Sequence, residues 1–178
     1  MEKKVLSETN LFFGKLPEIS DVDNLKIKNF ILSNILKNLN NYNFEKSLYK
    51  DIEINFFKDI NWIIEYVRDT INLKYKFQLI PIKTFIQIHD KHETEIKRNH
   101  IEYPNLHNSP DYTVMYVVEG KNSEITLEYD NHRNKNKFNK IELFNKDIVI
   151  WNSDLNYYLT PNSEEDYRIL IFFNCQII

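Results

Sequence analysis

The sequence predicts a mainly β domain in which two N-terminal helices precede a jelly-roll-like double sheet. Three observations predict it. The apolar period is helical up to about residue 72 and becomes two from Lys74 onward. Polar breaks rich in Asn, Asp, Pro and Ser then recur at short intervals, as they do between short antiparallel strands. The helices come before the strands instead of alternating with them, which argues against a parallel α/β sheet.

The first helix is expected over roughly 21–40, where Val22, Leu25, Leu32, Ile35, Leu36 and Leu39 recur three or four residues apart behind Asp21 as a cap. The Asn-rich stretch 38–43 reads as a turn, because Asn side chains bond locally and compete with helix. A second helix is expected from about Asn55 to Asn72, with Phe56, Ile60, Ile63, Ile64, Val67 and Ile71 on one stripe. Strands are expected near 74–80, 82–89, 97–102, 112–118, 123–129, 138–144, 147–151, 156–159 and 167–175. The chain of 178 residues fits one domain, with 17–72 as helical cover and 74–178 as sheet core.

Composition narrows the function classes. A net charge of −3 supplies no global positive field, so nucleic acid is not an expected partner. The lone Cys175 has no disulfide partner in the chain, and Met1–Lys15 lacks the apolar core of a secretory signal; a cytoplasmic protein is expected. The longest apolar run, Ile169–Phe173, falls far short of the roughly 20 residues of a membrane span, so no membrane is expected either. Two glycines leave no phosphate-cradling loop, and no Walker A, G-x-S-x-G or paired-Cys motif is present. Ala is absent and Arg occurs only at 68, 98, 133 and 168, a bias matching AT-rich codons such as those of a phage or an AT-rich microbe. Each Arg then merits inspection as a site needing a planar fork.

His100 and Glu102 stand two apart, so on an extended strand an imidazole and a carboxylate project from one face, where both can bind one ion. The other histidines have blander readings. His89, Asp90, Lys91 and His92 with Glu93 and Glu95 read as a solvated charged hairpin, and His107 as a turn residue. His132, Arg133, Lys135, Lys137 and Lys140 read as a basic hairpin tip. Tyr112, Tyr116, Tyr129, Trp151 and Phe172 read first as barrel interior, and Cys175 as buried filler.

Asn99-His100-Ile101-Glu102-Tyr103-Pro104, followed by Pro110–Val118 and Ser123–Tyr129, resembles small Fe(II)/2-oxoglutarate oxygenases of phages and marine bacteria. Those proteins carry H-x-D, a Tyr-rich strand and a short hairpin in this order. Asp147-Ile148-Val149-Ile150-Trp151 is similar to their strand before the distal His, and Tyr167–Asn174 to their closing strand, so the resemblance spans about residues 76–178. It implies a double-stranded β-helix core, Fe(II) and 2-oxoglutarate as cofactors, and an unidentified small-molecule or protein substrate. It further implies His100 and Glu102 as iron ligands and Arg168 as the holder of the distal carboxylate of 2-oxoglutarate, with Tyr112 or Tyr116 hydrogen-bonding the 2-oxo acid.

Two positions depart from the pattern. Glu102 replaces Asp and adds a methylene, and Tyr157 stands where the distal His belongs. An imidazole offers a nitrogen lone pair at neutral pH, whereas a phenol, with a reference pKa of about 10, must first lose its proton. Two functions of different classes stay open: a 2-oxoglutarate-dependent oxygenase with a variant or impaired iron site, and a double-stranded β-helix that has lost its iron and serves as a binding or interaction module. A cupin-like or viral structural jelly roll is the third and weaker alternative.

Overall fold

The computed structural model describes residues 10–16, 21–39, 52–53, 58–92, 97–100, 108–130 and 136–178. In chain order the elements are β1 (Leu11–Lys15), α1 (Asp21–Leu39), β2 (Ile52–Glu53), α2 (Lys58–Tyr75), β3 (Leu79–His89) and β4 (Tyr112–Glu119). They continue with β5 (Ser123–Asp130), β6 (Asn136–Leu143), β7 (Asp147–Asn152), β8 (Asn156–Leu159) and β9 (Arg168–Ile177). A six-stranded sheet has the order β1-β7-β4-β9-β3-β2, and a three-stranded sheet the order β6-β5-β8. All strand pairs among the described residues are antiparallel. Two antiparallel sheets and two helices give the mainly β, double-stranded β-helix class that the sequence predicts.

Strand parity sorts the large sheet into two faces. Val114, Tyr116 and Val118 of β4, with Ile169, Ile171 and Phe173 of β9, pack under the helices. Met115 and Val117, with Leu170 and Phe172, point the other way into an interior shared with Ile125 and Leu127 of β5 and Tyr157 and Leu159 of β8. Because both faces of β4 and β9 are covered, these strands read as nearly continuous apolar runs.

Helix α2 seats Ile60, Ile63, Ile64, Val67 and Ile71, the expected stripe, against the sheet; burying each contributes about 1.5–3 kcal/mol. Phe56 lies outside the described residues. Helix α1 turns differently from expectation: Leu25 is exposed, while Asn24, Ile27 and Ile31 are buried. Asn24 sets that rotation, since its Nδ2 donates to the Val118 carbonyl at 2.7 Å and its Oδ1 accepts from Tyr116 Oη at 2.8 Å. No described helix is long and apolar enough to cross a membrane.

The strand expected near 97–102 is only an isolated bridge at Arg98 among its described residues, and three further features differ from the sequence reading. Helix α2 continues through Tyr75 and closes at Lys76, whose φ of 64° lets its N–H donate to the Asn72 carbonyl at 3.1 Å. A left-handed cap built on Lys gives no glycine signal. The strands expected at 74–80 and 82–89 are one strand, β3, with a register shift between Pro81 and Lys83 that absorbs the missing proline N–H. Finally, β1 and β2 bring residues of the N-terminal part into the large sheet, where β1 pairs with β7 from Leu11↔Trp151 to Lys15↔Asp147.

Candidate functional site

Phe85, Gln87 and His89 of β3 alternate onto the inner face and stand opposite Phe172, Leu170 and Arg168 of β9. His89 therefore does not belong to the solvated hairpin. It is fully buried, while Asp90, Lys91 and His92 just beyond it are exposed. Glu93 and Glu95, like His107 and His132, lie outside the described residues.

Arg168 opens β9 and is 1% exposed. Its Nη1 donates to the Thr160 carbonyl at 2.5 Å and to Ser123 Oγ at 3.4 Å, and its Nε donates to His89 Nδ1 at 3.3 Å. With Nδ1 as acceptor, His89 is a neutral imidazole carrying its proton on Nε2. The planar fork reaches a carbonyl and a hydroxyl from Nη1 and an imidazole from Nε, a fixed spacing that the point-like ammonium of a lysine lacks.

Further along the interior, Arg98 and Tyr157 form an antiparallel bridge: Arg98 N donates to the Tyr157 carbonyl at 3.0 Å and Tyr157 N to the Arg98 carbonyl at 2.8 Å. The two side chains meet as well, Arg98 Nε donating to Tyr157 Oη at 2.9 Å. His100, two residues on, stacks on the Tyr157 ring with centroids 5.2 Å apart and planes 18° from parallel. Phe85 and Phe172 flank the imidazole at 5.4 Å and 5.8 Å, and Trp151 lies 5.3 Å from Tyr157. Burial, then the charges of Arg98 and Lys83, push the His100 pKa down to about 3, so the imidazole is neutral. Its Nε2 is buried with no hydrogen-bond partner among the described residues.

The structure thus brings His100 and Tyr157 into contact, with Arg168 on the same inner face as Phe172. Glu102 lies outside the described residues. Tyr112 and Tyr116 are not brought to Arg168, and they are not barrel interior. Strand parity turns both toward the helices, where Tyr112 Oη accepts from Asn10 Nδ2 at 2.9 Å and Tyr116 donates to Asn24. Burial raises the Tyr116 phenol well above its ordinary pKa. Trp151, Phe172 and Tyr129 do pack in the interior, and Cys175 is buried, its thiol pushed up by burial.

Arg98 escaped the sequence reading although it carries the same signal as Glu102, an i±2 relation to His100. His89 escaped because the charges after it masked the alternation that starts at Phe85.

As a test for Fe(II), this donor set is incomplete among the described residues. His100 Nε2 has no hydrogen-bond partner among the described residues, but the Tyr157 oxygen accepts from a guanidinium whose positive charge opposes a dication at the same spot. No group of three or more His, Cys, Asp or Glu able to hold an ion occurs among the described residues. The described residues do not form the facial triad that Fe(II) chemistry uses.

No protein-family model matches the sequence, and no curated protein does. Solved structures do match in fold. A prolyl-4-hydroxylase from Pseudomonas putida aligns with a TM-score of 0.63 over 94% of this chain and 88% of its own, at 7% identity. AviO1 from Streptomyces viridochromogenes Tue57 aligns with a TM-score of 0.62 over 93% and 90%, at 8% identity. The viral collagen prolyl hydroxylase of Paramecium Bursaria Chlorella virus-1, determined as a 2OG complex, gives 0.59 over 93% and 96%, at 12% identity. At these identities the likeness is one of fold: this chain shares the architecture of 2-oxoglutarate-dependent hydroxylases.

Proposed function

We propose that this chain is an oxygenase-like double-stranded β-helix in which a tyrosine has taken the place of the distal iron ligand, and that it works as a binding or interaction module without dioxygenase turnover. One observation carries this reading: Tyr157 stacks on His100 while its hydroxyl is engaged by Arg98. A phenol held by a guanidinium is a poor donor to a ferrous ion. Phe85 and Phe172 stand beside the His100 ring, so these described neighbours are aromatic carbons and not further metal donors.

A second reading, an active Fe(II)/2-oxoglutarate oxygenase with a variant site, is favoured by His100 Nε2, a buried ring nitrogen with no hydrogen-bond partner among the described residues. The sequence resemblance would make Arg168, buried at the start of β9, the carboxylate anchor, and one fold neighbour was determined with 2OG. Anaerobic loading with Fe(II), followed by iron analysis and by uncoupled conversion of 2-oxoglutarate to succinate, separates the two. The module reading expects no stoichiometric iron and no succinate above a His100→Ala control. Iron-dependent succinate release would establish the oxygenase.

A further inference from the structure

On the helix side of the large sheet, remote in character from the His100 region, a half-open groove of about 170 Å³ runs between β1 and α2. Its floor is Ile148 and Ile150 of β7, its wall the tilted pair Phe12 and Tyr75, with ring centroids 4.7 Å apart. Gly14 explains why it is hollow. Gly14 pairs with Ile148, as Phe12 pairs with Ile150, so position 14 faces the helices. A side chain added there would meet nothing within 4 Å, and the backbone does not adopt the positive φ that favours glycine. Neither crowding nor conformation therefore calls for glycine, one of only two in the chain, and in a strand it costs stability. What glycine supplies at position 14 is the empty volume.

The lining is also one-sided in charge. Among the described residues it includes Lys15 and Lys74 and no acidic residue. Lys15 Nζ is already committed, 3.9 Å from Asp147 Oδ1 and 5.2 Å above the Phe144 ring. Lys74, in the last turn of α2, forms no ion pair among the described residues. An apolar cavity of roughly 150 Å³ holds a benzene-sized ring, and aromatic walls favour a flat π system.

We infer that this groove is a binding site for a small aromatic carboxylate, its ring in the hollow left by Gly14 and its carboxylate on Lys74. Isothermal titration of the full chain with 1-naphthoate, and with 1-naphthalenemethanol as the neutral counterpart, tests it. Saturable one-to-one binding of naphthoate is expected. Gly14→Leu, which fills the hollow, should weaken both probes at least about tenfold, since roughly 1.4 kcal/mol of lost ring burial suffices, with the circular dichroism spectrum unchanged. Lys74→Gln, at an exposed helix end where folding is not at stake, should weaken naphthoate about three- to fivefold, as an exposed ion pair does, and leave the alcohol unchanged. The site is overturned if neither probe saturates, if Lys74→Gln leaves naphthoate binding unchanged, or if binding survives Gly14→Leu. Self-association of the wild type that Gly14→Leu abolishes would also overturn it, by assigning the groove to a second copy.

Discussion

The imidazole of His100 lies nearly flat against the phenol of Tyr157, with the ring centroids 5.2 Å apart and Arg98 bonded to the phenol oxygen. This arrangement makes His100 hard to protonate, because a proton there would be buried beside the Arg98 cation, with Lys83 also acting on it. The folded-state pKa is about 3, against 6.5 for the free side chain. Between those values the unfolded chain holds more protons, so stability should fall as pH falls, by at most about 1.4 kcal/mol per pH unit for this group. Above pH 6.5 both states are neutral at this position and the dependence disappears. Urea midpoints measured from pH 7 to 4 should drop more steeply in wild type than in His100→Phe, which keeps a ring in the stack but binds no proton. Parallel curves would mean that His100 is solvated.

The strand alternation that identified the double sheet was legible because period two needs only a few residues to declare itself. What escaped was set by contacts distant in sequence. Leu25 looks as apolar as Ile27, and only the bonds from Asn24 to Tyr116 and Val118 decide which faces the sheet. Likewise β1 has five residues, and it becomes a strand by pairing with β7, more than 130 residues away. In the candidate site, motif order grouped His100 with Tyr157, and the two rings do meet, while it carried no signal for the facing of Tyr112 and Tyr116. A fully buried strand has two apolar faces, and its sequence does not say which one meets the site.

The bond from Tyr116 to Asn24 is a test of how α1 is held. Tyr116→Phe keeps the ring in its place and leaves Asn24 Oδ1 buried without its donor. A loss of about 1–3 kcal/mol is expected, the cost of an orphaned buried acceptor. The double variant with Asn24→Ala should lose less than the sum of the two single changes, since both remove the same bond. Additive losses in urea unfolding would show that the two side chains do not interact.

Arg168 should not tolerate a conservative exchange. Its guanidinium spans the Thr160 carbonyl and His89 Nδ1 with different nitrogens. The ammonium of Arg168→Lys has three donors but one nitrogen, so it loses the spacing by which two nitrogens of the fork reach both partners, and it carries a more strongly hydrated charge into the same interior. Chemical denaturation should report a loss of about 1–3 kcal/mol. A lysine variant as stable as wild type would show that charge alone, and not the fork, is what the position requires.

Replacing Tyr157 by His should raise Fe(II) affinity, because it changes three things at one position. The hydroxyl that accepts from Arg98 is lost, a neutral nitrogen lone pair is gained, and the new ring stands against His100, whose own Nε2 has no hydrogen-bond partner among the described residues. An added first ligand is worth more than the roughly 10–100-fold in metal affinity carried by outer hydrogen-bond partners, so a gain of at least about tenfold in anaerobic titration is expected. The gain should vanish when His100→Ala is combined with Tyr157→His, because the two imidazoles act on one shared ion. If wild type binds Fe(II) stoichiometrically and Tyr157→His weakens it, the phenol is itself a ligand and the reading of this site as iron-deficient fails.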